Sequence, residues 1–289
     1  MTVAEAFEKY RSELEITESE QEAASKRQKE IRGFLDGRFE LEDDFLTGSY
    51  KRETKTKPLK DVDIFCVLKA TETNMKRYRE QNASVVLGAF RDALRKKYGD
   101  KVSEPGRRSV SVDFGSDERV MSFDVVPAFA VMRHYVIPDM TTGGWIDTDP
   151  TVHENMATEK NKTCDKKWKP LVKMVKGWNR YRDKVIRPPF LLEVMALDLV
   201  EPPFTDFPYE LQMFFATAAE RITDRWPDPA GFGPDVNDAM SSSEKTSASV
   251  ALREAQAAAA RARRLAEAGH ETDAFRVWKE MLGPLFPVR

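Results

Sequence analysis

Two cysteines and three histidines are all that this 289-residue chain offers in soft metal ligands, and their scatter removes several classes of function. Cys66 and Cys164 cannot build a disulfide framework and lack metal-ligand spacing, so two reduced thiols are expected. His134, His153 and His270 offer no zinc-binding spacing. An excess of charge of one sign is missing too: 46 Lys and Arg stand against 48 Asp and Glu, a formal net charge of -2. That balance argues against a protein that coats nucleic acid by charge alone, while leaving room for one basic face. No apolar run reaches the roughly 18 residues that span a bilayer. Residues 1–5 lack the basic stretch and apolar run of a signal peptide. The expectation is a soluble, cytoplasmic protein with no membrane partner. With 41% hydrophobic and 33% charged residues the composition is ordinary, and the length falls between one large domain and two small ones.

Phe7, Tyr10 and Leu14 recur at helical spacing. Thr17-Glu18-Ser19-Glu20 then has the form of a capping box, opening a helix to about residue 35 that Asp36-Gly37 stops. Residues 39–47 read as extended and lead into Gly48-Ser49. The run over 61–68, Asp-Val-Asp-Ile-Phe-Cys-Val-Leu, is dense in β-formers and reads as a buried strand. A helix is predicted over 75–98, with Val85, Val86, Ala89, Phe90 and Leu94 on one face. Residues 109–114 alternate polar and apolar, 115–118 turn and 119–126 return, which describes a hairpin. Residues 138–150 read as loop.

Beyond that loop the pattern is helical. Leu171, Met174, Val175 and Trp178 follow i, i+3, i+4, i+7, and further helices are expected over 190–199 and 209–226. After a Pro/Gly loop at 227–234, Ser241-Ser242-Ser243-Glu244 opens an alanine-rich helix that Gly269 ends, and a last helix covers about 272–282. No internal repeat is visible. Mixed strands and helices followed by helices alone imply an α+β fold. Residues 1–140 would hold a catalytic core with its N-terminal helix, and 141–289 a helical domain, with a cleft between them.

The chemistry is carried by Gly48-Ser49, followed at a short interval by Asp61-Val62-Asp63 where a strand begins. Side chains at i and i+2 share a strand face. Two carboxylates that close repel each other and raise each other's pKa unless a cation sits between them. Magnesium takes oxygen ligands and joins carboxylates to phosphate oxygens; two such ions can activate an attacking hydroxyl and stabilise a leaving pyrophosphate. Asp-x-Asp alone is a weak signal, and so is Gly-Ser. Their conjunction with a third acid on a later strand is stronger. Gly48 lets backbone approach a phosphate, and the Ser49 hydroxyl can donate to it. Asp124, within Ser122-Phe123-Asp124-Val125-Val126-Pro127, is preferred as third acid over Asp113. An acid in an apolar strand needs a partner or a metal, whereas Asp113 beside the turn can face water.

Residues 48–68 (Gly-Ser-Tyr-Lys-Arg-Glu-Thr-Lys-Thr-Lys-Pro-Leu-Lys-Asp-Val-Asp-Ile-Phe-Cys-Val-Leu) resemble the signature of the polymerase-β-like nucleotidyltransferases. Among them the likeness is greatest to the bacterial cGAS-like enzymes (CD-NTases), relatives of the oligoadenylate synthases. Phe123-Asp124-Val125-Val126-Pro127-Ala128 is similar to that family's third-aspartate strand. Residues 171–179 (Leu-Val-Lys-Met-Val-Lys-Gly-Trp-Asn) are similar to its triphosphate-facing helix, and 278–286 to its closing segment. The resemblance implies a polymerase-β-like core, a mixed sheet with flanking helices, packed against a C-terminal helical domain. It implies template-independent synthesis of cyclic di- or trinucleotides from NTPs, as second messengers in anti-phage defence. Asp61, Asp63 and Asp124 would bind two Mg²⁺ ions, for which Mn²⁺ can substitute. Gly48 and Ser49 would hold the donor phosphates, and Lys173 and Lys176 would contact the triphosphate. The Cys/His zinc insertion of animal cGAS is absent, which argues against direct sensing of double-stranded DNA, while an activating protein or ligand stays open.

At 100° per residue, Lys173 and Lys176 lie about 60° apart, opposite the Leu171/Met174/Val175/Trp178 face. Lys166, Lys169 and Arg180 fall on the same stripe, so a solvated basic face competes with a triphosphate site. The loop carrying Lys51, Arg52, Lys55 and Lys57 reads equally as solvated or as phosphate-touching. Phe190 is expected in the core rather than against a base. Three other functions compete: a nucleotidyltransferase extending RNA or making linear oligonucleotides, one modifying a protein or small molecule, and a silent nucleotide- or partner-binding module. The acid trio argues against the last.

Overall fold

The computed structural model describes residues 1–115 and 122–287. The apolar residues at helical spacing near the start wind into α1 (Val3–Leu14), which buries Ala6, Phe7, Tyr10 and Leu14. Thr17 opens α2 (Glu18–Asp36) with the expected capping box, and Gly37 closes it. There follow β1 (Leu41–Thr47), a short helical turn α3 (Gly48–Lys51) and β2 (Val62–Leu68). Next come α4 (Glu72–Asn74), which runs on as a π-turn over Met75–Arg79, and α5 (Ala83–Tyr98). The single helix predicted over 75–98 is therefore broken. Asn82 takes an extended ψ and its side chain accepts from the Ser84 N–H, capping a new helix. The break also rotates the buried face of α5 to Ala83, Val86, Leu87, Phe90 and Leu94, leaving Val85 exposed.

Four more strands complete the sheet: β3 (Val110–Asp113), β4 (Ser122–Val131), β5 (His134–Asp139) and β6 (Gly144–Thr148). β3 and β4 pair antiparallel, as the hairpin pattern predicts. The turn residues 116–118 and the start of the returning strand at 119–121 lie outside the described residues. Residues 138–150, expected as loop, instead contribute to the antiparallel β5–β6 pair. Pro138 stands next to last in β5, where the missing N–H matters least. The strand order is β1-β2-β4-β5-β6, with β3 also on β4. β2 and β4 run parallel and the other pairs antiparallel, so the sheet is mixed.

On β2 the period of two sends Val62, Ile64, Cys66 and Leu68 into one core with Ile31 and Leu35 of α2 and Phe90 and Leu94 of α5. Phe65 and Val67 face the other way and pack with Val126, Ala128 and Ile137. Asp63 and Asp124 fall on this second face by the same alternation.

The remaining helices are α6 (Pro150–Thr163), α7 (Trp168–Tyr181), α8 (Phe190–Leu199), α9 (Phe207–Arg221), α10 (Ser242–Glu267) and α11 (Glu271–Leu282). The chain divides into a sheet unit, Ile16–His153, and a helical unit made of Met1–Glu15 with Glu154–Arg289. This differs from a division at 140/141 in the place of α1, whose apolar stripe belongs to the helical core, and of β6, which belongs to the sheet unit. Phe7 meets Trp278 edge-on at 4.9 Å and Phe286 at 5.2 Å, and the Tyr10 hydroxyl donates to the Leu282 carbonyl at 3.4 Å. Gly177 permits the close approach of α1 to α7, since a Cβ there would stand 2.8 Å from the Tyr10 hydroxyl. Among the described residues no helix is long and apolar enough to cross a membrane.

Candidate active site

Asp63 and Asp124 are directly opposed across the parallel β2–β4 pair, and Thr47 of β1 opposes Asp63 on its other side. The strand register thus lays two carboxylates side by side. Burial, then the charge of Asp124, push the Asp63 carboxyl up to about 7, against the opposing pull of Lys55 and Arg52. Asp124 is raised as well, mainly by burial, and the hydroxyl of Ser111 offsets part of that by donating to its Oδ1. Each acid resists ionising because burial and the neighbouring carboxylates outweigh the pull of the nearby cations and hydroxyls. Such a pair suits a divalent cation, which would favour both charged forms.

Gly48 follows β1 with φ of +70°, the left-handed region where glycine is at ease. A Cβ at this position would run into the Asp63 carboxylate. The α3 turn that Gly48 opens is closed by the Arg52 N–H on the Gly48 carbonyl at 3.1 Å, and the Thr54 N–H reaches the Ser49 carbonyl at 3.0 Å. Gly48 and Ser49 are thereby fixed beside Asp63.

Asp61 needs a different account from the one strand alternation suggests. It stands one residue before β2, with φ of 52°, so the period of two does not place it. Contacts from other segments do. The Asp61 N–H donates to Ser122 Oγ at 3.2 Å, and Ser122 Oγ donates to Asp61 Oδ1 at 2.5 Å. Lys55 Nζ donates to the Asp61 carbonyl at 3.0 Å and stands 4.0 Å from Oδ2. The charge of Asp61 is nevertheless felt at both Asp63 and Asp124, so the three acids form one electrostatic cluster. Among the described residues no three or more acidic, histidine or cysteine side chains are grouped so as to hold a metal ion as they stand; Asp61 and Asp124 each hold a serine hydroxyl on one oxygen. Asp113 is exposed and accepts from the Gly115 N–H at 2.8 Å, as an acid beside a turn does.

The structure therefore brings Gly48, Ser49, Asp61, Asp63 and Asp124 together within the sheet unit. Lys173 and Lys176 lie on α7 of the helical unit. Lys173 Nζ stands 2.5 Å from Glu15 and Lys176 Nζ 2.5 Å from Glu193. Lys173 is only 6% exposed and Glu193 only 2%, so these lysines are not part of a solvated basic stripe. Lys166 precedes α7 altogether. Phe190 packs at the margin of the helical core. Sequence reasoning missed Ser111, Ser122 and the role of Lys55. The cross-strand pair Ser111↔Asp124 was implicit in the hairpin pattern, once its register is known.

Comparison with known proteins gives the family. Residues 1–161 match the family described as the Second Messenger Oligonucleotide or Dinucleotide Synthetase (SMODS) domain. A probable cyclic nucleotide synthase of Bacillus cereus (strain VD146) is 28% identical over 271 residues, covering 83% of this chain and 81% of the relative. The cyclic AMP-AMP-AMP synthase of Acinetobacter sp. (strain ATCC 27244 / 9458) is 30% identical over 269 residues, covering 84% of this chain and 72% of the relative. In fold the chain is similar to E. coli MS115-1 CdnC with ATP, at a TM-score of 0.80, 17% identity and 98% coverage of both chains. The same CdnC in complex with HORMA-deltaN matches at a TM-score of 0.76 and 18% identity, again with 98% coverage of both.

Proposed function

The chain belongs to the Second Messenger Oligonucleotide or Dinucleotide Synthetase family and is a CD-NTase, a nucleotidyltransferase that makes cyclic oligonucleotides; from that premise we propose how its residues divide the work. The observation that carries the proposal is the in-register pair Asp63/Asp124, with Asp61 within electrostatic reach and Gly48 cleared of side chain against it. We assign Asp61, Asp63 and Asp124 to two Mg²⁺ ions, with Mn²⁺ as a substitute. Ions bound there supply charge for the triphosphate and lower the pKa of an attacking hydroxyl.

The chain's own residues orient the reactants. Gly48 lets the backbone come close to a donor phosphate beside Asp63, and Ser49 offers that phosphate a hydroxyl. In each transfer a ribose hydroxyl forms a bond to the α-phosphorus as the bond to the bridging oxygen of pyrophosphate breaks. Repeated transfers build a di- or trinucleotide, and the last one closes the ring. No protein nucleophile takes part. Lys173 and Lys176 are assigned to the triphosphate; each is held in place by an acid, Glu15 and Glu193 respectively.

We place the enzyme in the cytoplasm, in anti-phage signalling. An activating partner protein is proposed as well, since CdnC forms a complex with HORMA-deltaN. Incubation of the purified protein with all four NTPs and Mg²⁺ or Mn²⁺, then phosphatase and mass spectrometry, tests the reaction. The expected result is a phosphatase-resistant species with the mass of a cyclic di- or trinucleotide. ATP alone is the first single substrate to try, because the Acinetobacter relative is named a cyclic AMP-AMP-AMP synthase. Linear oligonucleotides or single-nucleotide adducts as the sole products, also in the presence of cell lysate, would overturn the assignment of ring closure.

A further inference from the structure

Asp61 holds a backbone conformation that its own strand does not explain. A φ of 52° is uncommon for a residue with a side chain, and it persists where the surroundings over-determine it. Here they do. Its N–H, its carbonyl and both carboxylate oxygens each face a partner, and the partners come from two segments. Lys55, in the loop between α3 and β2, takes the carbonyl at 3.0 Å and stands 4.0 Å from Oδ2. Ser122, the first residue of β4, accepts from the N–H at 3.2 Å and donates to Oδ1 at 2.5 Å. A hydroxyl is among the few side-chain groups that can do both at one atom.

We propose that Ser122 is a positioning residue: its hydroxyl fixes the left-handed turn at Asp61 and aims that carboxylate alongside Asp63 and Asp124. Ser122 lies two residues before Asp124 on β4 and 61 residues from Asp61. It therefore ties the acid outside the sheet to the same strand that carries the third acid. Neither the register of β2 nor a local turn supplies that tie. The inference rests on the assignment of the three acids to a divalent metal, and it names the residue that completes their arrangement. Groups that orient a metal ligand through a hydrogen bond commonly change metal affinity by about 10- to 100-fold when removed.

The test uses the full chain without nucleotide, with free Mn²⁺ counted by electron paramagnetic resonance, so that no turnover enters the readout. Ser122→Ala is expected to weaken Mn²⁺ binding about tenfold, and Ser122→Thr, which keeps the hydroxyl, to recover to within about twofold of wild type. Asp61→Ala should weaken binding on its own. Adding Ser122→Ala to it should change nothing further, because the serine acts through the aspartate. A double variant clearly weaker than Asp61→Ala would mean a general structural role and overturn the proposal. Wild-type binding by Ser122→Ala, with Asp61→Ala impaired, would overturn it while leaving the metal assignment standing. Wild-type binding by Asp61→Ala would remove Asp61 from the metal site and the inference with it.

Discussion

At the scale of single residues, the carboxylates proposed to carry activity are also ones that resist ionising in the folded chain. Asp61→Ala with Asp63→Ala is expected to lower turnover by at least ~10³-fold, roughly 4 kcal/mol of barrier, while the far-ultraviolet circular dichroism stays unchanged. A folded double variant with full activity would remove the site. The Asp63 carboxyl is raised to about 7, first by burial and then by Asp124, whereas in an unfolded chain it titrates at about 4. Between those values the folded protein keeps a proton that the unfolded chain has released, so the contribution of Asp63 to metal-free stability falls as pH rises from about 4 to 7. Thermal melts in EDTA across that range should show the decline, and Asp63→Asn should flatten it. Gly48→Ala meets both the left-handed φ and the Asp63 carboxylate; it is expected to cost about 1–3 kcal/mol and to lower activity, read by urea melts and turnover.

Much of this residue-level picture was legible. Strand alternation was applied to Asp61 and Asp63 and an apolar setting singled out Asp124, whereas the pairing of Asp63 with Asp124 emerges only from the β2–β4 register. Asp61 was found for a reason the structure replaces, because its place depends on Ser122, 61 residues away. Local periodicity carries no information about such a contact. The acids that meet Lys173 and Lys176 were likewise out of reach, since Glu15 comes from the end of α1 and Glu193 from α8.

At the scale of elements, the capping boxes at Thr17 and Ser241 were visible because their chemistry is contained within four residues. The break at Asn82 and the β5–β6 pair were not: a short polar cap interrupted an otherwise helical pattern, and Pro138 masked a strand end. The box on α2 also does more than start a helix. Glu20 accepts from the Thr17 N–H and, with its other oxygen, from the Leu59 N–H at 2.9 Å. It thereby anchors the segment that leads to Asp61. Burial alone would raise the Glu20 carboxyl, yet these N–H groups and the Thr17 hydroxyl outweigh it and hold it below its usual range. Glu20→Ala leaves the Leu59 N–H, a buried residue's donor, without this partner. The expected loss is about 1–3 kcal/mol, with faster hydrogen exchange at Leu59. Unchanged exchange there would show that the anchor is dispensable.

For the molecule as a whole, the order of mixed strands and then helices announced an α+β chain with a helical second part. The membership of α1 could not be read that way, because an amphipathic helix does not reveal which core its apolar stripe fills. Phe7→Ala, by opening space against Trp278 and Phe286, is expected to destabilise the helical unit by about 3–5 kcal/mol, seen as a lowered melting transition. A substitution in the sheet core such as Phe90→Ala should act instead on the Ile16–His153 unit, and hydrogen exchange resolved along the chain would separate the two. The same arrangement imposes a schedule on protein synthesis. Tyr10 leaves the ribosome 272 residues ahead of Leu282, whose carbonyl it meets, which at ~5–20 residues per second amounts to roughly 14–54 s. During that interval all of Ile16–His153, with the complete acid cluster, has emerged and can fold, while Phe7 and Tyr10 still lack their native partners. A nascent chain thus holds its acid cluster before its first helix has a core to join, and the apolar stripe of that helix must wait for the segment around Trp278, Leu282 and Phe286.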